Sequence, residues 1–288
     1  MKKHLEAYLL LAPKMLCFAI FMALPFVAAI YFIFHQGTFL TSFQFVGLQN
    51  FKDAMRDSLF WRSLNNTLLL TLMVVPLSTI SALFVAYGIY AVKSSRLKSI
   101  MKAFVFFPLL SSIIVTSIVW GYLLNHDKGI INNFFSLLGL SNQTWLANGF
   151  TALIIIAVIE VYRGIGFYSL TYLAAMQEVP KEIMEAASLD GVSHFKMFYM
   201  MILPLIRHAL TFGIVICTIW ALQIFDIVYV LTNGGPGTST YTMAFYIYRN
   251  AFVMNNIGLG ATMSFILMMI IMLVTLVQLR LLRHKEAG

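Results

Sequence analysis

Six apolar runs, each long enough to cross a lipid bilayer, punctuate this 288-residue chain. They cover residues 8–34, 67–92, 103–124, 151–175, 207–232 and 258–281. A hydrocarbon core about 30 Å thick is spanned by roughly 20 helical residues at ~1.5 Å each. The runs lack the period-two alternation of barrel strands, so they predict helices. The fold class implied is an all-α integral membrane protein of six transmembrane helices, forming one domain over residues 1–288. Composition excludes the soluble alternative: 60% of residues are hydrophobic and only 10% are charged, well under half the usual share. In such a chain the net charge of +8 reads as loop charge and not as a nucleic-acid surface. Cys17 and Cys217 lie in apolar runs and predict small buried side chains, not a disulfide or metal framework. Lys2 and Lys3 before an apolar run suggest a signal peptide, but the run is too long for one and reads as the first span.

Basic residues set an orientation. Twelve fall on one side: Lys2, Lys3, Lys93, Arg96, Lys98, Lys102, Lys181, Lys196, Arg207, Arg280, Arg283 and Lys285. Five fall on the other: Lys52, Arg56, Arg62, Lys128 and Arg249. With loops this short the bias predicts that both termini are cytoplasmic. Residues 176–206, a polar insert between the fourth and fifth spans, are then cytoplasmic too. Pro180 and Glu182 suit the start of a helix there. Asp190-Gly191 reads as a turn that ends it, Ser193 as the cap of a second short helix, and Leu203-Pro204 as the point that redirects the chain into span five. Small residues and acids in this stretch suit a docking surface for a soluble partner, although an ordinary interfacial loop has the same composition.

The spacing Glu185-Ala186-Ala187, three residues, Gly191, then Leu203-Pro204 resembles the EAA loop of binding-protein-dependent ABC importer permeases. Met201 stands where that family has Ile. "FVGLQNFKDAM" (45–55), "LFWRSLNNT" (59–67), "FDIVYVLTNGGPGTST" (225–240) and "IYRNAF" (247–252) are similar to the carbohydrate branch of the same family, the maltose and glycerol-3-phosphate type. The likeness covers nearly the whole chain. It implies the type I, MetI-like permease fold and a bacterial or archaeal plasma membrane. The partners it implies are a second related permease, two ATPase subunits and an extracytoplasmic solute-binding protein. It also implies that Glu185, Ala186, Ala187, Asp190, Gly191, Leu203 and Pro204 form the coupling element that docks in the ATPase.

The chain carries no Gly-x4-Gly-Lys-Ser/Thr, no His-Glu-x-x-His and no Gly-x-Ser-x-Gly. The reading is therefore a non-catalytic subunit without a cofactor, with ATP and Mg bound by the ATPase partners. Its six histidines are scattered, which offers no metal site. Candidates for a substrate path are polar residues inside spans, where charge is costly and faces a wet interior. Glu160 and Arg163 are three apart on one helical face. Two roles are open to them, a structural ion pair or the edge of a sugar pocket. Tyr162 and Gly164 flank them, and by the resemblance Glu160 stands near a polar pocket position of the maltose type. Trp220 and Gln223 share a face at helical spacing, pairing an aromatic platform with an amide. Asp226 reads as structural or as lining an outer exit. Ala221 and Ile224 replace polar residues of maltose-type pockets, which argues against a maltose-like pocket. Ser112 and Thr116, with Ser111 and Ser117, are hydroxyls that either line the path or bond their own helix. A competing class, an ion-driven secondary transporter, predicts inverted repeats and interrupted helices; neither is evident in the sequence.

Overall fold

The computed structural model describes residues 2–38, 41–180, 182–183 and 191–284. Glu185, Ala186, Ala187 and Asp190 lie outside the described residues. The described chain is predominantly helical, with one antiparallel pair of two-residue strands, His35–Gln36 and Gln44–Phe45. Four helices are long and apolar enough to cross a membrane: Leu10–Ile33, Ser58–Ala91, Gly149–Gln177 and Ile257–Leu282. Two bent pairs pass the same test jointly, Ser95–Leu110 with Ile113–Leu123 and Phe198–Leu205 with Arg207–Ala221, giving six spans if each pair counts as one. The Ser58–Ala91 helix has 34 residues. At ~1.5 Å per residue it reaches about 51 Å, longer than a hydrocarbon core, so it starts well outside the apolar run that marks it.

The contacts define two compact units. The first holds Met1–Trp61 and Tyr246–Met269. Its opening helix runs from Lys2 to Phe18, widens to a π turn at Ala19–Ala23 and continues over Leu24–Ile33. The wide turn covers the carbonyl of Phe21, the one Pro25 would have bonded and against which its ring would clash. Most of this helix shows its apolar side chains outward, Leu10, Phe21, Met22 and Val27 among them, as suits lipid. Cys17 is exposed on it, against the burial expected from its apolar run. A helix this sparsely packed turns even a small thiol to its surroundings. The helix end is tied by Asn50, on the short helix Gln49–Arg56. Its Nδ2 donates to the carbonyls of Ile33 at 2.9 Å and His35 at 3.0 Å. The last helix passes so close that a Cβ on Gly258 would lie 2.1 Å from the His35 carbonyl oxygen.

The second unit holds Arg62–Phe245 and Ile270–Gly288. Its centre is the helix Gly149–Gln177, capped by Asn148, whose side chain accepts the amides of Phe150 and Thr151. Gly166 lets the Ser95–Leu110 helix lie against it, since a Cβ there would meet the Val105 carbonyl at 2.6 Å. Spans three and five are not the single straight helices their apolar runs predict. Ser111 and Ser112 run extended, and the two halves of span three meet at 94°. The Arg207–Ala221 helix stops before Leu222, and residues 222–225 are non-helical. The interrupted helices that the sequence conceals are therefore present. Pro204 also differs from its expected role. It sits in the first turn of the short helix Leu203–Leu205, behind a π turn at Phe198–Ile202 that covers Met200, the carbonyl Pro204 cannot bond. The 71° redirection comes two residues later, at Ile206.

Candidate functional site: a polar cleft at two helix breaks

Both breaks border one cleft. It has a volume of about 290 Å³ and is lined by Leu109, Glu160, Arg163, Trp220, Gln223, Ile224, Phe225 and Asp226. Leu109 comes from the last turn before the break in span three, and Gln223, Ile224 and Phe225 from the break in span five. Glu160 and Arg163 come from the Gly149–Gln177 helix. Arg163 Nη2 donates to Glu160 Oε2 at 3.1 Å, so the pair is at once an ion pair and part of a cavity wall. The two roles left open by the sequence do not exclude one another. Trp220 packs beside Phe167 and Tyr168, at centroid separations of 5.2 and 6.1 Å, yet stays 45% exposed. It is thus held in place without being core.

Trp220 and Gln223 do reach the same cleft, but not by helical spacing. The helix has ended between them, and the Gln223 amide makes a tight turn back to the Trp220 carbonyl at 3.1 Å. Asp226 lines the cleft as well. The cleft adjoins a space of about 30 Å³, large enough for a water, lined by Glu160, Arg163, Gly164 and Trp220 together with Ser78, Tyr168 and the buried Cys217. Three candidates lie elsewhere. Tyr162 points away and meets Trp120 edge-on at 6.0 Å. Ser112 is exposed at the break, and Thr116 is buried in the helix beyond it; neither lines these two cavities. Among the described residues no three His, Cys, Asp or Glu side chains could hold a metal.

The break in span five is held from a distance. Thr242 Oγ1 donates to the Ile224 carbonyl at 2.7 Å, and both residues are buried. Thr242 follows the Gly-Gly-Pro loop, which folds through left-handed residues Asn233, Gly234 and Gly237 around a cis Gly235–Pro236 bond. Asn66 anchors that loop by donating from Nδ2 to the carbonyls of Ser239 and Tyr241, each at 2.9 Å. Its neighbour Thr67 accepts the Met243 amide at 2.8 Å. The 59–67 and 225–240 motifs, read separately in the sequence, are therefore bonded to each other.

Beyond the other end of the Gly149–Gln177 helix, two of the turns expected in the insert are present. Gly191 is left-handed at φ 69°, and the Ser193 hydroxyl accepts the Lys196 amide at 3.4 Å. Leu205, Ile206, His208 and Ala209 share a cavity of about 350 Å³ with Ala175, Glu178, Val179 and Pro180.

Comparison with known proteins decides the class. Residues 54–286 match the family of binding-protein-dependent transport system inner membrane components. The chain belongs to this family. It is an ABC importer permease, an inner-membrane component that crosses the bilayer several times. The permease is 31% identical to the trehalose/maltose transport system permease protein MalF of Thermococcus litoralis, over 99% of this chain and 97% of that protein. It is 29% identical to the sulfoquinovosyl glycerol transport system permease protein SmoG of Agrobacterium fabrum, over 98% and 92% respectively. Its fold matches a chain of a bacterial alginate ABC transporter at a TM-score of 0.90, covering 100% of this permease and 97% of that chain at 21% identity. Interrupted helices therefore do not mark a secondary transporter here.

Leu109 and Phe225 carry no signal in the sequence, being apolar residues in apolar runs. Thr242 was equally hidden, because its role depends on reaching a carbonyl eighteen residues earlier.

Proposed function

We propose that this permease moves a carbohydrate across the plasma membrane, with Glu160, Gln223, Asp226 and Trp220 lining its path. The observation that carries this reading is the cleft itself. An aromatic face, an amide and carboxylates converge where two helices are broken, the chemistry that holds a hydroxylated ring weakly enough to release it. The named functions of the relatives, trehalose/maltose and sulfoquinovosyl glycerol transport, support the substrate class. On this reading the basic bias holds residues 176–206 and both termini in the cytoplasm. Glu185, Ala186, Ala187, Asp190 and Gly191, with Leu203 and Pro204, dock into one of two ATPase subunits, which bind ATP and Mg. A second related permease completes the path, and an extracytoplasmic binding protein delivers the sugar. This chain performs no catalysis.

Uptake of labelled sugar by cells carrying the complete transporter tests the proposal. A hydrogen bond to a sugar in a partly desolvated site contributes ~1 kcal/mol, so Glu160→Leu and Gln223→Leu each lower uptake several-fold and together about 30-fold. Assembly with the ATPase persists. Normal uptake by the double variant removes both side chains from the path, and loss of assembly assigns them a structural role.

A further inference from the structure

We infer that the cleft selects sugars without a negative charge and disfavours carboxylated, sulfonated or phosphorylated ones. The inference rests on the carbohydrate reading above and narrows it. Three ionisable side chains line the cleft, Glu160, Arg163 and Asp226. The one cation is shared, because Arg163 Nη2 donates to Glu160 at 3.1 Å while its buried Nε has no partner among the described residues. Asp226 is exposed and has no ion-pair partner among the described residues. The wall thus carries two carboxylates against one guanidinium.

Ionised carboxylates only accept hydrogen bonds. They suit the hydroxyl hydrogens of a neutral ring, which donate, and they repel an anionic substituent that can only accept. A sulfonate or uronate entering this space faces Asp226, and where it takes Arg163 it competes with Glu160 for the same guanidinium, in a wall with two carboxylates to one cation. Gln223 donates and accepts alike and so adds no preference between the two classes. Trp220 offers an apolar face to the C–H surface of a pyranose whatever its charge. The discrimination therefore falls to the carboxylates, and chiefly to Asp226.

The test uses the complete transporter in proteoliposomes with its own binding protein. Uptake is measured for trehalose, lactose and an arabinose disaccharide, and for a glucuronate-bearing disaccharide, sulfoquinovosyl glycerol and glycerol-3-phosphate. The wild type is expected to take up its best neutral sugar at least tenfold faster than any anionic one. Asp226→Asn, which keeps the shape and removes the charge, is expected to narrow that ratio at least fivefold, chiefly by raising anionic uptake. Asp226→Glu keeps the charge and is expected to preserve the ratio. Anionic uptake equal to or above neutral uptake in the wild type overturns the inference, as does an unchanged ratio in Asp226→Asn. Uptake of none of the six probes by a transporter that still hydrolyses ATP overturns the carbohydrate reading itself, and the charge rule with it.

Discussion

Asn66 is the side chain on which the Gly-Gly-Pro loop hangs, and its removal has a calculable cost. Its Nδ2 serves two carbonyls at 2.9 Å each, Ser239 and Tyr241. Asn66→Leu preserves the volume and deletes both donors. Leaving a buried acceptor unsatisfied costs ~1–3 kcal/mol. Tyr241 is buried, so its carbonyl sits in the middle of that range; Ser239 is half-buried, and water recovers part of its loss. The total is about 3 kcal/mol, equivalent to a roughly 100-fold rise in local opening. Amide hydrogen exchange reads this directly. The Gly235 and Thr240 amides are bonded within the loop, to the carbonyls of Thr232 and Gly234. Their protection is expected to fall about 100-fold in Asn66→Leu, with the Gly149–Gln177 helix unaffected. Asn65 is adjacent but exposed, so Asn65→Leu is expected to change nothing. Wild-type protection in Asn66→Leu, or an equal loss in Asn65→Leu, refutes the anchoring role.

Two further outcomes follow from other contacts. Thr242→Val removes the hydroxyl that holds the Ile224 carbonyl, so the cleft wall relaxes; the half-saturating sugar concentration for uptake is expected to rise several-fold, whereas Thr242→Ser restores it. Gly191 is left-handed with nothing among the described residues within 4 Å of a would-be Cβ, so any penalty is conformational, not steric. Gly191→Val is expected to weaken co-purification of the ATPase and to uncouple hydrolysis from uptake, while Gly191→Asn, which tolerates this backbone at lower cost, retains both.

The membrane class was legible because apolar length is a local property that bilayer thickness converts directly into spans. Glu160, Arg163 and Gln223 were legible because a polar side chain inside such a run needs a reason. What escaped were features set by tertiary partners. Nothing between Trp220 and Asp226 is a helix breaker, and the stretch reads as continuous helix. Its interruption is stabilised by Thr242, which lies beyond a loop. The π turns before Pro25 and Pro204 escaped for a related reason. A proline announces that one helical bond is missing, but not that the helix will widen around the gap and carry on, deferring the bend to Ile206. Asn66 lay within a motif whose spacing was visible, while its partners were 173 and 175 residues away.

On the proposed path, sugar passes through the cleft beside Trp220. The most direct test is photo-crosslinking of a transported, diazirine-bearing sugar to the complete transporter held with a non-hydrolysable ATP analogue, followed by mapping of the labelled peptides. Label is expected on peptides containing Glu160–Arg163 and Trp220–Asp226, competed by unlabelled sugar and lost in Trp220→Ala. Competable label confined to other segments of this chain, or to the second permease alone, contradicts it.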